Sequence, residues 1–218
     1  MKGEQQQKIE SASLALTEEN LASSSLDERT RGGYEVLRNI IAAHPAIAKA
    51  SIEDLVIKIC VIDTTNSTHL SASKNEMSVH ELAEIIKDIP FIDGRIEEGD
   101  PAVVEEITRA AKVKYKRNPF SFATKFCAYH NRFVYGRDDY SIYDSKVKTY
   151  LPAYCTDGTT ENKLQTMRDS MQYKKFNDCV WNVLCANGLD GIKDARMKLD
   201  RFLWTKTDKA ERVQDEEN

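Results

Sequence analysis

The sequence lacks an apolar run long enough to form a signal peptide or a membrane span. Its start, MKGEQQQKIESASLALTEEN, has no apolar core behind the lysine, although a secretory signal needs one of about 7 to 15 residues. No later segment approaches the roughly 20 apolar residues of a transmembrane helix. We therefore expect a cytoplasmic protein that does not enter the membrane.

The sequence also lacks the cysteine pattern of a disulfide-bonded protein, because its five cysteines are scattered among apolar neighbours. An odd, dispersed set is typical of reduced, buried thiols rather than of a disulfide framework. The cysteines and histidines do not have the spacing of a zinc site or of a four-cysteine iron–sulfur cluster. We therefore expect neither a metal nor another cofactor.

Positive charge is not in excess, because the net charge is -4. Proteins that bind DNA non-specifically usually carry surplus Lys and Arg, since neutralising phosphates supplies most of their affinity. Any contact with nucleic acid must therefore use a local basic surface. One basic cluster consists of Arg109, Lys112, Lys114, Lys116 and Arg117. The alternative for this cluster is a solvated helix end whose cations favour the C-terminal dipole.

The alternation of apolar and polar residues that marks a half-buried strand is missing, and apolar residues recur instead at helical spacing. We predict an all-α fold of about eight helices. A loose tail is expected at 1–30, a helical domain at 31–206 and a charged tail at 207–218. Residues 51–60 also suit a strand because several are β-branched. The run at 91–100 is predicted to be a loop.

Capping residues indicate where several helices begin. Ser51 with Asp54, and Ser78 with Glu81, have the spacing of capping boxes. Asp100 is expected to cap another helix, because a proline follows it and proline favours the first helical turn. These three starts place helices on both sides of the predicted loop.

The stretch SFATKFCAYHNRFVYGRDDYSIYDSKVKTYL, residues 121–151, carries two residues of chemical interest. Ser121 is expected to cap a helix with Lys125 in its first turns, where the dipole and burial favour the neutral amine of a nucleophilic lysine. Asp144 follows nineteen positions later and is expected to cap the next helix, where its carboxylate can stabilise positive charge on a sugar. The alternative is that Lys125 extends into solvent and Asp144 is only a cap.

This stretch resembles the catalytic segment of the helix-hairpin-helix DNA glycosylases, particularly the 8-oxoguanine glycosylase branch. In that family a lysine-bearing helix leads through a loop to Asp-Xaa-His-Val or a variant, and here SFATKFCAYH and YSIYDSKVKTYL occupy those places. The resemblance implies that Lys125 forms a Schiff base and that Asp144 is the catalytic aspartate. It also implies a cleft between two helical subdomains, and it assigns Asn66 in DTTNST as the wedge that fills the gap left by the extruded base.

Two features depart from the family pattern. The hairpin normally has a Gly-Xaa-Gly turn whose backbone N–H groups bind a phosphate, whereas this sequence has NPFSFAT there. The histidine of the signature is replaced by Lys146. Glycine allows the backbone to approach DNA closely, so the absence of these glycines bears directly on DNA binding.

The resemblance implies a DNA-repair glycosylase with associated lyase activity, acting on duplex DNA with a damaged base. The residues expected to contact DNA are Asn66, Lys114, Lys116, Arg117 and Ser121. His130 would either assist proton transfer or pack in the core. A second hypothesis is a catalytically silent glycosylase-like module that binds nucleic acid or a protein, for example in defence against foreign DNA; the missing glycines and the acidic net charge favour it. A third is a purely structural helical protein. The sequence has no pattern that indicates an oligomeric state.

Overall fold

The computed structural model describes residues 15–24, 28–68, 70, 78–115 and 118–215. Over these residues the chain forms eleven α-helices and one 3-10 helix, without a β-strand. The helices are α1 (Glu18–Ser23), α2 (Glu28–Ala43), α3 (Ile52–Asn66), α4 (Val79–Lys87), α5 (Ile92–Glu97), α6 (Ala102–Tyr115), α7 (Phe120–Tyr135), α8 (Ser145–Tyr150), the 3-10 helix (Leu151–Tyr154), α9 (Glu161–Asp169), α10 (Tyr173–Ala186) and α11 (Ala195–Asp215). The predicted all-α class is confirmed, whereas the prediction of about eight helices is too low, since the described residues form eleven α-helices. None of the described helices combines the length and the apolar character needed to cross a membrane.

Both predicted capping boxes are confirmed. Ser51 caps α3 and Ser78 caps α4, and in each box the acidic residue three positions later binds back to the backbone N–H of the cap. The strand alternative for residues 51–60 is wrong, because the capping box of Ser51 and Asp54 stabilises the first turn of α3 as a helix. Asp100 accepts a hydrogen bond of 2.9 Å from the Ala102 N–H at the start of α6, as expected.

The predicted loop at 91–100 is wrong, because most of it is helix α5. Ile92 and Ile96 lie one turn apart and are both buried, which gives this short helix an apolar face. Phe91 has a left-handed backbone (φ 56°) immediately before the helix and turns the chain into it.

The predicted cap at Ser121 is also wrong. Helix α7 begins at Phe120, one residue earlier, and the Phe120 N–H donates to Asn118 Oδ1 at 3.1 Å. An asparagine side chain therefore satisfies the first free N–H of α7, and Ser121 lies inside the first turn.

Helices extend into both predicted tails. Helix α1 lies inside 1–30, where Leu16 and Leu21 are buried, and it packs against α11. The burial of these two leucine side chains stabilises this part of the chain against its neighbours. Helix α11 runs to Asp215, past the expected domain end at residue 206.

Helix α7 lies at the centre of the core and contacts α2, α3, α5 and α6. Its residues from Phe120 to Asn131 are buried, apart from Ser121. This buried part includes four polar residues, namely Thr124, Lys125, His130 and Asn131. Because a buried polar group needs a hydrogen-bond partner, each of these side chains has to meet another polar group in the interior.

Candidate functional site

Lys125 and Asp144 meet in the protein interior. The distance from Lys125 Nζ to Asp144 Oδ2 is 3.9 Å, and the side chains are only 4% and 7% exposed. Thr124, the neighbour of Lys125, accepts a hydrogen bond of 3.1 Å from the backbone N–H of Tyr143, the neighbour of Asp144. This bond aligns the chain before α8 with α7, so that residues nineteen positions apart face each other. The alternative in which Lys125 extends into solvent is wrong.

Three donors surround the Asp144 carboxylate. Oδ1 accepts from the Val147 N–H at 2.9 Å, which confirms the predicted cap of α8. Oδ2 accepts from the indole Nε1–H of Trp204 at 3.0 Å, and the Lys125 ammonium faces the same oxygen. A buried carboxylate is costly unless it is hydrogen-bonded and paired, and here both conditions are met.

Lys125 also contacts the end of α3. Its Nζ donates to the carbonyl oxygen of Asn66 at 3.3 Å, and the last carbonyls of a helix lack partners within the helix and form its negative end. The Asn66 side chain is held by Tyr129, whose hydroxyl donates to Oδ1 at 2.6 Å, and by the Ile62 carbonyl, which accepts from Nδ2 at 3.1 Å. Asn66 therefore lies next to the Lys125–Asp144 pair, and its side-chain amide is hydrogen-bonded to other protein groups.

A second carboxyl group, that of Asp200 on α11, lies close enough to the Lys125–Asp144 pair for the charges of the pair to shift its pKa. Burial and the negative charge of Asp144 raise the pKa of Asp200, the positive charges of Lys125, Arg132 and Arg201 oppose this rise, and together these effects place the pKa at about 7. Its Oδ1 atom is buried and lacks a hydrogen-bond partner within the described structure. Asp200 can therefore hold or release a proton near neutral pH.

A small pocket adjoins Asp200. Its lining consists of Ser141, Ile142, Val147, Leu151, Val180, Arg196, Leu199, Asp200 and Leu203. Its cavity volume is about 10 Å³, room for about one water molecule and far below the roughly 300 to 1,000 Å³ of a typical ligand site. Neither Lys125 nor Asp144 lines this pocket, and because both side chains are buried, the pair is closed to large ligands in this conformation.

Sequence reasoning missed Asp200 and Trp204. Both lie on α11, one helical turn apart, and meet Asp144 only because α11 packs against α8. Their sequence neighbours Leu199, Phe202 and Leu203 indicated a helix packed in the core. The i, i+4 spacing of an aspartate and a tryptophan indicates that both side chains lie on the same face of that helix. It does not indicate which other helix this face contacts.

Some of the predicted DNA-contacting residues lie away from the Lys125–Asp144 pair. Lys114 is exposed on α6, with its Nζ 3.9 Å from Glu81 on α4. Lys116 and Arg117 lie outside the described residues. Ser121 is partly buried in α7, and its carbonyl accepts a hydrogen bond of 2.8 Å from Thr124 Oγ1. Within the described ranges, no group of three or more His, Cys, Asp and Glu residues is arranged to hold a metal ion.

Comparison with known proteins assigns the first part of the chain to a family. The model described as the HI_0787 N-terminal domain (HI_0787_N) matches residues 16–134, more than half of the chain. The chain belongs to the HI_0787 N-terminal domain family. The HI_0787_N match ends within α7, so that it contains Asn66 and Lys125, whereas Asp144 and the rest of the site follow it.

One relative is an uncharacterized protein of Haemophilus influenzae (strain ATCC 51907 / DSM 11121 / KW20 / Rd). It is 29% identical over 152 residues, which cover 66% of this chain and 64% of the relative. The match therefore spans less than two thirds of the relative's length. No solved structure matches the chain.

Proposed function

We propose that this protein is a DNA base-excision glycosylase with associated lyase activity, and that it acts through Lys125 and Asp144. The observation that carries the proposal is the buried Lys125–Asp144 pair, with 3.9 Å between its charged atoms and with Asp144 oriented by a helix cap and an indole N–H. Base removal through a Schiff base needs one amine nucleophile and one carboxylate beside the same sugar carbon. Both groups are present here.

The proposed chemistry begins with an extruded nucleotide placed against the pair. As the bond between C1′ and the base breaks, positive charge develops on the deoxyribose and the Asp144 carboxylate stabilises it. The Lys125 ammonium gives up a proton to the departing base, and the amine then bonds to C1′ and loses a second proton. O4′ gains that proton as the C1′–O4′ bond breaks and the sugar ring opens, which gives the Schiff base. Loss of a proton from C2′ then allows the 3′ phosphate to leave by elimination. Asp200 supports these transfers, because its raised pKa of about 7 lets it carry a proton at neutral pH.

Trp204 connects the buried pair with the surface. Its indole N–H holds Asp144 Oδ2, while 42% of the residue remains exposed. An exposed aromatic ring can stack on an unpaired base, a contact worth about 1 to 3 kcal/mol. Because Lys125 and Asp144 are buried, a nucleotide reaches them only if α11 or the chain around Trp204 moves outward.

The proposal is tested by trapping the Schiff base with borohydride. Duplex oligonucleotides that carry an abasic site, 8-oxoguanine or other single lesions are incubated with the protein and reduced, and covalent complexes are resolved on denaturing gels. We expect a complex whose cross-linked peptide contains Lys125. D144N should slow base removal by about 100- to 1,000-fold, as expected for loss of a preorganised charge.

The matched control is K58M, which removes another buried lysine while leaving Asp144 unchanged. K125M should abolish trapping, and K58M should retain it. The proposal is wrong if the wild-type protein gives no complex with any of these duplexes, or if K125M gives as much complex as the wild type.

A second candidate function is a catalytically silent module that binds nucleic acid or a protein. It is favoured by the same burial, because Lys125 and Asp144 both have internal partners and can act as a structural ion pair. In that case duplex DNA or a protein partner binds without trapping, and K125M leaves the cellular phenotype unchanged. Loss of the phenotype in folded K125M, with K58M unaffected, argues against this function.

A further inference from the structure

Two of the five cysteines lie side by side. The Sγ atoms of Cys155 and Cys179 are 3.8 Å apart. Cys155 follows the 3-10 helix and is partly buried, whereas Cys179 lies on α10 and is buried. The other thiols have different surroundings, since Cys60 and Cys185 are exposed and Cys127 is buried in α7.

We propose that Cys155 and Cys179 form an oxidation-sensitive dithiol, which a peroxide converts into an intramolecular disulfide. A disulfide requires sulfur atoms about 2.05 Å apart, so the two atoms must approach by less than 2 Å from their separation of 3.8 Å. Cys155 has an extended backbone (φ -80°, ψ 126°) and lies between helices. It can therefore shift toward Cys179, which is fixed in α10.

The surroundings of the two sulfurs differ in a way that favours this reaction. A hydrogen bond from Cys155 lowers the pKa of the Cys179 thiol; burial opposes this effect, and the hydroxyl of Thr159, 3.9 Å away, adds to it. The same contact raises the pKa of Cys155, and burial adds to that rise. A thiolate reacts with a peroxide far faster than a thiol, so Cys179 is the sulfur that the peroxide oxidises first.

The proposed reaction consumes one peroxide for each disulfide. The Cys179 thiolate attacks a peroxide oxygen, the O–O bond breaks, and Cys179 becomes a sulfenic acid as the first water forms. The sulfur of Cys155 then attacks the Cys179 sulfur, the S–O bond breaks, and the second water leaves as the S–S bond forms. The two thiols lose two electrons and two protons, which the peroxide accepts.

The disulfide would attach the chain after α8 to α10. Cys155 directly follows the 3-10 helix, which continues from α8, and Asp144 caps the other end of α8. Because the link joins residues 24 positions apart, it restricts the unfolded chain. We therefore expect the oxidised protein to have a higher Tm than the reduced protein, and a reductant should reverse the change.

The test uses the C60S/C185S variant, which lacks both exposed thiols. The protein is treated with hydrogen peroxide, unfolded, alkylated and weighed by mass spectrometry. We expect one alkylated thiol, Cys127, instead of three, together with the loss of two hydrogens. Trypsin should release residues 149–163 linked to residues 176–193, which contain Cys155 and Cys179 respectively.

Single serine substitutions in the same background separate the possible outcomes. Adding C155S or C179S should remove the intramolecular link, whereas adding C127S should leave it in place. The proposal is overturned if no linked peptide forms, if the link includes Cys127, or if Cys155 and Cys179 are converted to sulfinic or sulfonic acids instead.

Discussion

Two buried lysines lie along the interface of α3 with α7, and their surroundings differ. Lys125, from α7, has a carboxylate 3.9 Å away and the Asn66 carbonyl at the end of α3. Lys58, from α3, donates to the His44 carbonyl and lies 3.4 Å from His130 Nε2 on α7. Within the described part of the chain, Lys58 has no carboxylate at ion-pair distance.

The imidazole of His130 faces Lys58 as a neutral acceptor. Nδ1 lies 2.9 Å from the Phe126 carbonyl and must donate to it, which leaves Nε2 unprotonated. Burial and the charge of Lys58 lower the pKa of His130, the hydrogen bond to the Phe126 carbonyl opposes them, and the resulting pKa is about 3. His130 therefore packs beside Lys58 in the core, and the structure gives it no contact with the Lys125–Asp144 pair.

Lys58 shows that burial alone is enough to depress the pKa of a lysine. Burial lowers the pKa of Lys58 to about 8, although the carboxylates of Asp93 and Asp54 oppose this change. Yet Lys58 faces only internal partners. Lys125 differs because an oriented carboxylate lies beside it and Trp204 links that carboxylate to the surface. An oriented carboxylate and a partly exposed indole, rather than burial, distinguish the surroundings of Lys125 from those of Lys58.

The largest expected difference between the two lysines is in stability. K125M leaves the Asp144 carboxylate buried without its cation, and breaking a buried pair in this way costs about 3 to 5 kcal/mol. K58M should cost less, because it leaves no carboxylate without its cation. The free energy of unfolding in urea at pH 7 measures both. The double variant K125M/D144N should recover part of the loss, and equal costs for K125M and K58M contradict the comparison.

A smaller difference is expected in the pH dependence of stability. The pKa of Lys58 is about 8 in the folded protein and near 10.5 in the unfolded chain, so between these values the unfolded state binds more protons and stability rises with pH. A shift of this size corresponds to at most about 3 kcal/mol. Unfolding free energies measured from pH 8 to 10 should show that K58M lacks this rise, whereas K125M retains it. A K58M curve parallel to the wild type would refute the assignment.

The smallest effect concerns the indole N–H that holds Asp144. W204F keeps an aromatic ring and removes the donor at 3.0 Å from Oδ2, which should cost about 1 kcal/mol of stability because Trp204 is partly exposed. If the proposed function holds, base removal should also slow. W181F, which changes the other tryptophan, is the control for both measurements. An unchanged W204F protein would show that the indole does not orient the carboxylate.

Local sequence patterns predicted much of the fold. The capping boxes at Ser51 and Ser78 and the cap at Asp144 are confirmed because each depends on residues only three positions apart. The predictions failed where local signals were ambiguous. Residues 91–100 contain only two apolar positions at helical spacing. Near the start of α7, Ser121 and Asn118 are both residue types that cap helices, and the structure uses Asn118.

The sequence by itself determined the helical class, the starts of α3, α4, α6 and α8, and the nineteen-residue interval between Lys125 and Asp144. Only the tertiary structure decided that these two side chains face each other and that Trp204 and Asp200 of α11 lie beside them. It also decided that His130 contacts Lys58. The physical reason is range: caps and helical periodicity act within a few residues, whereas a polar group inside the core takes its partner from whichever helix packs against it.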